Sequence, residues 1–425
     1  MTVPGAYSPR SVRLGDIANP DAAPNGRPLD GLRVLAAEQM QALPYATQLL
    51  ARLGAEVVKV EHPVQGESGR GSQPAMRDPE GRDVGATFLR NNLGKRSVGI
   101  DLKHPRGREL FLALAPRFDV VAENFRAGTM ARLGLGYEDV AARHPEVVYL
   151  SVSGFGANSS TYGDWPAYAS IVEAMSGIYE FMRHPDERPR ANPVGALGDI
   201  SSALFGVIGV LAALRQRDRT GQGQHVDIAM YDATVAMTDI VTNLSSLGVP
   251  RDPFPAPYIL DTFAASDGWF VLQLVRPHQF ERLAAVVGHP DWVDDERFAD
   301  RAGWGAHLDD VIRPAVEAWA AGRTKRAAAE ALTAAGVAAG PCHTPPEVVA
   351  DPHVADRHML VEVPRTDEVA APYLVPGNPV KLSGVAEGPE TRVPWVGEHT
   401  GAVLAAELDL DAAALADLQA DGVIA

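Results

Sequence analysis

The sequence predicts an α/β protein: a large Rossmann-like domain on a parallel sheet, with a smaller α/β domain set between two parts of it. Three observations predict this class. Strand-like and helix-like segments alternate in β-α-β order from Leu32 onward, and that connectivity requires a parallel sheet with helices on its faces. At 425 residues, with 46% hydrophobic and 22% charged side chains, the chain is long enough for two or three domains and apolar enough to bury a large core. A run with four prolines in eight residues, Pro250–Pro257, then breaks the pattern before a second α/β series begins.

Met1–Pro28 holds Pro, Gly, Asn and Asp without an apolar run, and reads as a loose leader rather than a signal peptide. Leu32–Ala36 is the first strand. Tyr45–Leu53 is a helix, with Pro44 suited to its first turn and Gly54 to its end. Glu56–Val60 is the second strand. Arg108–Phe118 reads as a helix, Asp119–Ala122 as a strand, Met130–Leu133 as a helical piece and Val147–Val152 as a strand. Residues 199–215 form a strongly apolar helix, in which Gly206 and Gly209 allow close packing. A charged turn, Arg215–Gln224, leads to a strand at His225–Met230 and a helix at Tyr231–Leu247. The small domain, 251–349, contributes a strand at Trp269–Leu274, a helix at Gln279–Val287 and helices to about Ala335, then breaks at Gly340-Pro341 and Pro345-Pro346. The large domain is thus expected over 29–250, completed by 350–425.

Composition excludes several functions. Thirty-eight basic against 54 acidic residues give a net charge of −16, the wrong balance for a protein that binds nucleic-acid phosphates. The most apolar stretch, Ala203–Leu214, is twelve residues long and reads as too short to span a bilayer. One cysteine, Cys342, rules out an internal disulfide and a multi-cysteine metal site. The expectation is a cytoplasmic protein with no membrane or nucleic-acid partner.

The first β-α turn, Glu38–Pro44, contains no glycine, so the dinucleotide fingerprint is absent, as is a P-loop. His343, His353 and His358, with Asp351 and Asp356 among them, match no metal-ligand spacing and read as surface loop residues, so no metal is expected. Cys342 adjoins His343, but adjacent residues of an extended segment point apart and do not form a dyad. There is no Gly-x-Ser-x-Gly elbow. Gly198-Asp199 precedes the most apolar helix. Asp199 there serves as a helix N-cap, or as a carboxylate on the sheet rim where α/β proteins place ligands and where a carboxylate acts as a nucleophile. Gly221–Asp232 reads as scaffold, a tight turn running into a strand and a helix.

Eight segments, taken together and in order, resemble the family III CoA-transferases, the superfamily of formyl-CoA transferase, carnitine CoA-transferases and α-methylacyl-CoA racemase. They are Leu29–Leu35, Leu53–Glu61, Asn92–Lys103, Val121–Gly128, Gly195–Asp199, Gly221–Asp232, Gly377–Ser383 and Gly397–Thr400, spread over residues 29–400. The resemblance implies an interlocked homodimer and transfer of CoA from an acyl-CoA donor to a free carboxylic acid. It places the nucleophile at Asp199, which attacks the thioester to form a mixed anhydride, and the helix dipole there is expected to keep it ionised. Gln41 matches a glutamine near the reacting carbonyl, and Ala42 follows it as in the family. Ala42, His62, Lys103, Asn124, Phe125 and Arg132 match positions that hold CoA, with His62 standing where the family has an arginine. No cofactor beyond coenzyme A is implied.

Departures from the family pattern bear on the reaction. Racemases use a His-Asp pair where this chain has Tyr168 and Ala169, and a glutamate where it has Arg276, so racemisation lacks its second base. Tyr168 and Arg276 are read as substrate contacts, Arg276 as a partner for a substrate carboxylate. The glycine run of formyl-CoA transferase corresponds to Pro253–Tyr258, which is proline-rich. Glu173 is a further carboxylate one turn after Ala169. The alternative readings are an acyl-CoA racemase and a non-catalytic acyl-CoA-binding protein.

Overall fold

The computed structural model describes residues 11–157, 161–163, 165–181, 183, 186–192, 195–249, 258–367 and 369–425. The proline-rich run at Pro250–Pro257 lies outside the described residues. The chain divides into two compact units, Met1–Thr242 with Pro352–Ala425, and Asn243–Asp351.

The first unit is built on β1 (Arg33–Ala37), α1 (Ala42–Arg52), β2 (Glu56–Glu61), α2 (Ala86–Asn91), β3 (Lys95–Gly99), α3 (Pro105–Leu114), β4 (Val120–Glu123), β5 (Val148–Ser153), α4 (Ala169–Met175), α5 (Leu197–Thr220), β6 (Gln224–Ala229) and α6 (Met230–Met237). All six strands run parallel, in the spatial order 3-2-1-4-5-6. The order reverses at β1 and β4, so the carboxyl ends of these two strands open the crevice where such sheets bind ligands. The strands β1, β4 and β5 are largely apolar on both faces, as parallel strands covered by helices must be. Leu35, Val58, Val98, Val121 and Tyr149 meet Phe111, Leu114 and Leu404 on one side. Val34, Val57, Val120 and Leu150 meet Leu43, Leu50, Ala203 and Val210 on the other.

Several elements differ from expectation. β3 escaped sequence reading because its polar residues are paired by distant parts of the fold. Lys95 is wholly buried against Glu38 at 2.6 Å, and Arg96 reaches Glu56 at 2.8 Å. α5 starts at Leu197 and continues through the expected charged turn to Thr220, where Gly221 in the left-handed conformation ends it. At 24 residues it is long and apolar enough to cross a membrane, unlike the twelve-residue stretch read from the sequence. Its Ala203, Val210 and Ala213 are buried against the sheet, while Ile200, Leu204, Ile208 and Leu211 are exposed. Gly209 is needed for the approach to β6, since a Cβ there would stand 2.6 Å from Val226. At Gly206 the nearest atom would be an ordinary 3.6 Å away. The expected helix at Tyr231–Leu247 is two, α6 and Asp239–Ser246. Part of the leader is ordered: Val12–Arg13 pairs in parallel with Leu360–Val363, and Pro20–Asn25 forms a 3-10 helix.

The second unit is an antiparallel sheet of β7 (Ile259–Ala265), β8 (Gly268–Leu274) and β9 (Ala338–Pro341), with α7 (Pro277–Val287), α8 (Arg313–Ala320) and α9 (Lys325–Ala334) around it. Gly340-Pro341, read as a break, ends strand β9. Phe263, Phe270, Phe280, Trp292 and Trp304 form its core.

Candidate functional site

Asp199 is the third residue of α5, not its cap. The N-cap is Ala196, at φ 63° in the left-handed region, and it places Asp199 inside the first turn. The carboxylate instead accepts a hydrogen bond from the backbone N–H of Ala42, the first residue of α1. Two helix N-termini thus meet at one carboxylate. Gly198 makes the meeting possible: a Cβ there would stand 2.8 Å from Val172, and 3.2 Å from both Ala169 and Met230.

The electrostatics of Asp199 differ from the expectation that a helix dipole alone would keep it readily ionised. Its pKa is raised from 3.8 to about 6, first by burial and then by the charge of Glu173. Arg90 and the Ala42 amide oppose that rise. Glu173 is buried on α4, where it accepts from the Tyr179 hydroxyl at 2.6 Å and from the Gly198 N–H at 3.3 Å. The Tyr179 phenol is in turn pushed up to about 12 by burial and by this carboxylate.

Gln41 is the N-cap of α1, next to the Asp199 contact, and its Oε1 accepts from Nη2 of Arg90 at 2.5 Å. Met40 before it stands at φ 62°. The turn keeps this left-handed residue because its amides are held from two sides. The Met40 N–H donates to Glu67 at 2.9 Å, and the Asn124 amide both accepts from and donates to the Gln39 backbone at 2.9 Å. Glu67 belongs to a buried ionic group with Lys59, Glu38 and Lys95, which anchors the turn to β2 and β3.

Asp199, Ala42, Asn124, Phe125 and Tyr168 line one cavity of about 240 Å³, bounded also by Met40 and Met230. A second, of about 590 Å³, is lined by His62, Lys103, Phe125, Thr129 and Leu133. Gln39 and Phe125 line both, so the two adjoin. His62 is exposed, and its Nδ1 accepts from the Val64 and Gln65 amides at 3.2 and 3.3 Å, which leaves its proton on Nε2. Lys103 is exposed. Arg132 is exposed beside the second cavity and donates to the Thr129 hydroxyl at 2.9 Å. Tyr168, 70% exposed, is the N-cap of α4. Arg276 belongs to the second unit, exposed at the N-cap of α7. Sequence reasoning missed Arg90 altogether and left Glu173 unassigned. Neither sits in a local pattern that marks it, and both gain meaning from where the fold brings them. Among the described residues, no group of three His, Cys, Asp or Glu is placed to hold a metal ion.

The model of the CoA-transferase family III matches residues 29–400. The chain is 36% identical to the succinyl-CoA–D-citramalate CoA-transferase of Chloroflexus aurantiacus, over 94% of this chain and 98% of that one. It is 34% identical to the succinyl-CoA:mesaconate CoA-transferase of Haloarcula hispanica, over 88% and 95% of the two chains. Among solved structures it resembles a CAIB/BAIF family protein from Brucella suis, with a TM-score of 0.77 and 32% identity, covering 90% of this chain and all of that one. The chain belongs to the family III CoA-transferases.

Proposed function

We propose that the chain moves CoA from an acyl-CoA donor to a free carboxylic acid through a mixed anhydride on Asp199. The observation that carries this is the carboxylate itself: part-buried and met by a backbone N–H, in a cavity that adjoins a larger one lined by His62, Lys103 and Phe125. The names of the relatives, which act on succinyl-CoA with citramalate or mesaconate, favour dicarboxylic substrates.

In this reading Asp199 attacks the thioester carbonyl, the C–S bond breaks and CoA leaves as the thiolate. The acceptor carboxylate then replaces the donor acid on the aspartyl carbonyl. Thiolate attack on the acceptor's carbonyl forms the new thioester and restores the Asp199 carboxylate. One difficult exchange becomes several substitutions of modest barrier. The Ala42 N–H and the Gln41 amide supply donors for the oxyanions of these steps. Lys103, Arg132 and the Nε2–H of His62 suit CoA phosphates, and Phe125 suits the adenine or pantetheine. Tyr168 and Arg276 are proposed substrate contacts. No cofactor beyond coenzyme A is needed.

The strand order supports a Rossmann-like large domain, taken as 29–250 with 350–425, and the small domain is taken as 251–349. The exposed apolar face of α5, with Ile208 61% exposed, supports burial in an interlocked homodimer. The enzyme is taken as soluble and cytoplasmic, acting on dissolved substrates.

The test is to mix the protein in D₂O with a panel of acyl-CoA esters and free acids and to weigh every CoA ester. New esters without deuterium, lost in D199N, are expected. Deuterium at the α-carbon of an unchanged ester would overturn the reading in favour of racemisation.

A further inference from the structure

Arg90 stands part-buried on α2. A guanidinium has five N–H donors and no acceptor, so a hydrogen-bond partner must turn an acceptor toward it. It meets Gln41, through Oε1. A glutamine amide is otherwise free to turn end for end, exchanging its carbonyl for its NH₂. With Oε1 committed to Arg90, the NH₂ group is aimed the other way, and no hydrogen-bond partner for it is found among the described residues. The helix that starts with Ala42, whose N–H reaches Asp199, begins immediately after Gln41. We propose that Arg90 is a positioning residue that fixes the Gln41 amide with its NH₂ toward the carbonyl under attack, and supplies the positive charge this anionic site requires.

The charge argument is independent of the orientation argument. Titratable groups on the elements packed against α5 are Tyr45 and Arg52 on α1, Glu173 on α4, Tyr149 on β5, His225 and Asp227 on β6, and Tyr231 and Asp232 on α6. Of these only Glu173 acts on Asp199, and it is negative. Among the described residues Arg90, from α2, is the one cation that acts there, and the influence is mutual: burial lowers the guanidinium's pKa and Asp199 pulls it back up. The reaction brings a thiolate and the acceptor carboxylate to a place where Glu173 already stands by Asp199. Arg90 itself is anchored apart from the site, since its backbone carbonyl accepts from Gln48 Nε2 at 2.8 Å. Its side chain can therefore be changed without removing that contact.

The inference rests on Asp199 being the nucleophile, and the experiment separates the two. The full-length enzyme is mixed with succinyl-CoA alone, and the burst of free thiol is followed from pH 4.5 to 8. In R90M the burst rate at pH 7.5 is expected to fall about a hundredfold, the scale of losing one oxyanion donor. KM should change less than about threefold, and the acid limb should move to higher pH. R90K, a donor-only cation, is expected to restore the acid limb and to recover at least about tenfold of the rate. In a Q41A background R90M should cost at least about tenfold less than in the wild type, because the residue it positions is gone and only the charge is lost. Q41E keeps an oxygen for Arg90 but loses the NH₂, and should be no faster than Q41A, a result that does not depend on R90M folding. An unmoved acid limb together with additive R90M and Q41A losses would overturn the role of Arg90 alone. No burst in the wild type, or a burst that D199N retains, would overturn the nucleophile assignment and this inference with it.

Discussion

The raised pKa of Asp199 makes a quantitative demand on the donor half-reaction. The nucleophile must be ionised to attack. With a pKa of about 6, it is about 10% ionised at pH 5 and about 90% at pH 7. The burst rate at saturating succinyl-CoA should therefore rise about tenfold between these pH values and flatten above pH 7.5. At the ordinary value of 3.8, the two rates would agree within about a tenth. The difference between 3.8 and about 6 corresponds to about 3 kcal/mol held against the anion, with burial first and Glu173 second. E173Q tests the second cause. It keeps an amide oxygen for Tyr179 or the Gly198 N–H and removes the charge, so the acid limb should move to lower pH and the tenfold ratio should shrink. The assay is stopped-flow thiol detection with acceptor omitted and the affinity for the ester checked at each pH. A wild-type ratio near one would refute the claim that burial and Glu173 hold Asp199 up. A ratio of ten that E173Q leaves unchanged would refute the part given to Glu173.

Two further outcomes follow from the geometry. G198A inserts a methyl against Val172, Ala169 and Met230 where an ideal Cβ has 2.8–3.2 Å, so it should lower stability by about 1–3 kcal/mol in denaturant titration and slow the burst, whereas a loss under about 0.5 kcal/mol would show that α4 and α6 give way freely. Glu123, buried at the carboxyl end of β4, has its pKa raised to about 7 chiefly by burial while it accepts from the Phe125 N–H. A carboxyl raised on folding favours the native state below its unfolded value and loses that advantage as pH climbs from about 4.5 to about 7, a loss of roughly 3 kcal/mol. E123Q should therefore flatten the decline in melting temperature between pH 5 and pH 8. Parallel declines in wild type and variant would count against it.

What could be read from the sequence divides along physical lines. The β1-α1-β2 unit was legible because its signals are local: an apolar run, a proline in the first helical turn, a glycine at the end. β3 was not, because Lys95, Arg96 and Ser97 look like surface residues until Glu38, Glu56 and Glu61 are brought beside them. The helix carrying Asp199 was legible, but its start was not. An alanine in the left-handed conformation at the N-cap has no sequence signature, so the aspartate looked like the cap. The nucleophile's chemistry came from resemblance. Its environment came from the fold, since Glu173 lies 26 positions away in sequence and Arg90 lies 109 away.

The turn after β1 shows why the missing glycine was informative without being sufficient. Lacking a glycine, it cannot bring its backbone against a pyrophosphate in the usual way, and the dinucleotide reading fails. Yet the turn still needs a left-handed residue, and Met40 takes that conformation at a cost of about 1–2 kcal/mol. The cost is met by a carboxylate, since Glu67 accepts the Met40 N–H and is itself held near Lys59 at 3.6 Å. A glycine would have let this turn relax. A methionine held by a buried ionic group has one conformation, and the residues that follow it are Gln41 and Ala42. The buried charges beneath the turn, which add little to stability on their own, are in this view what keeps two donors in place beside Asp199.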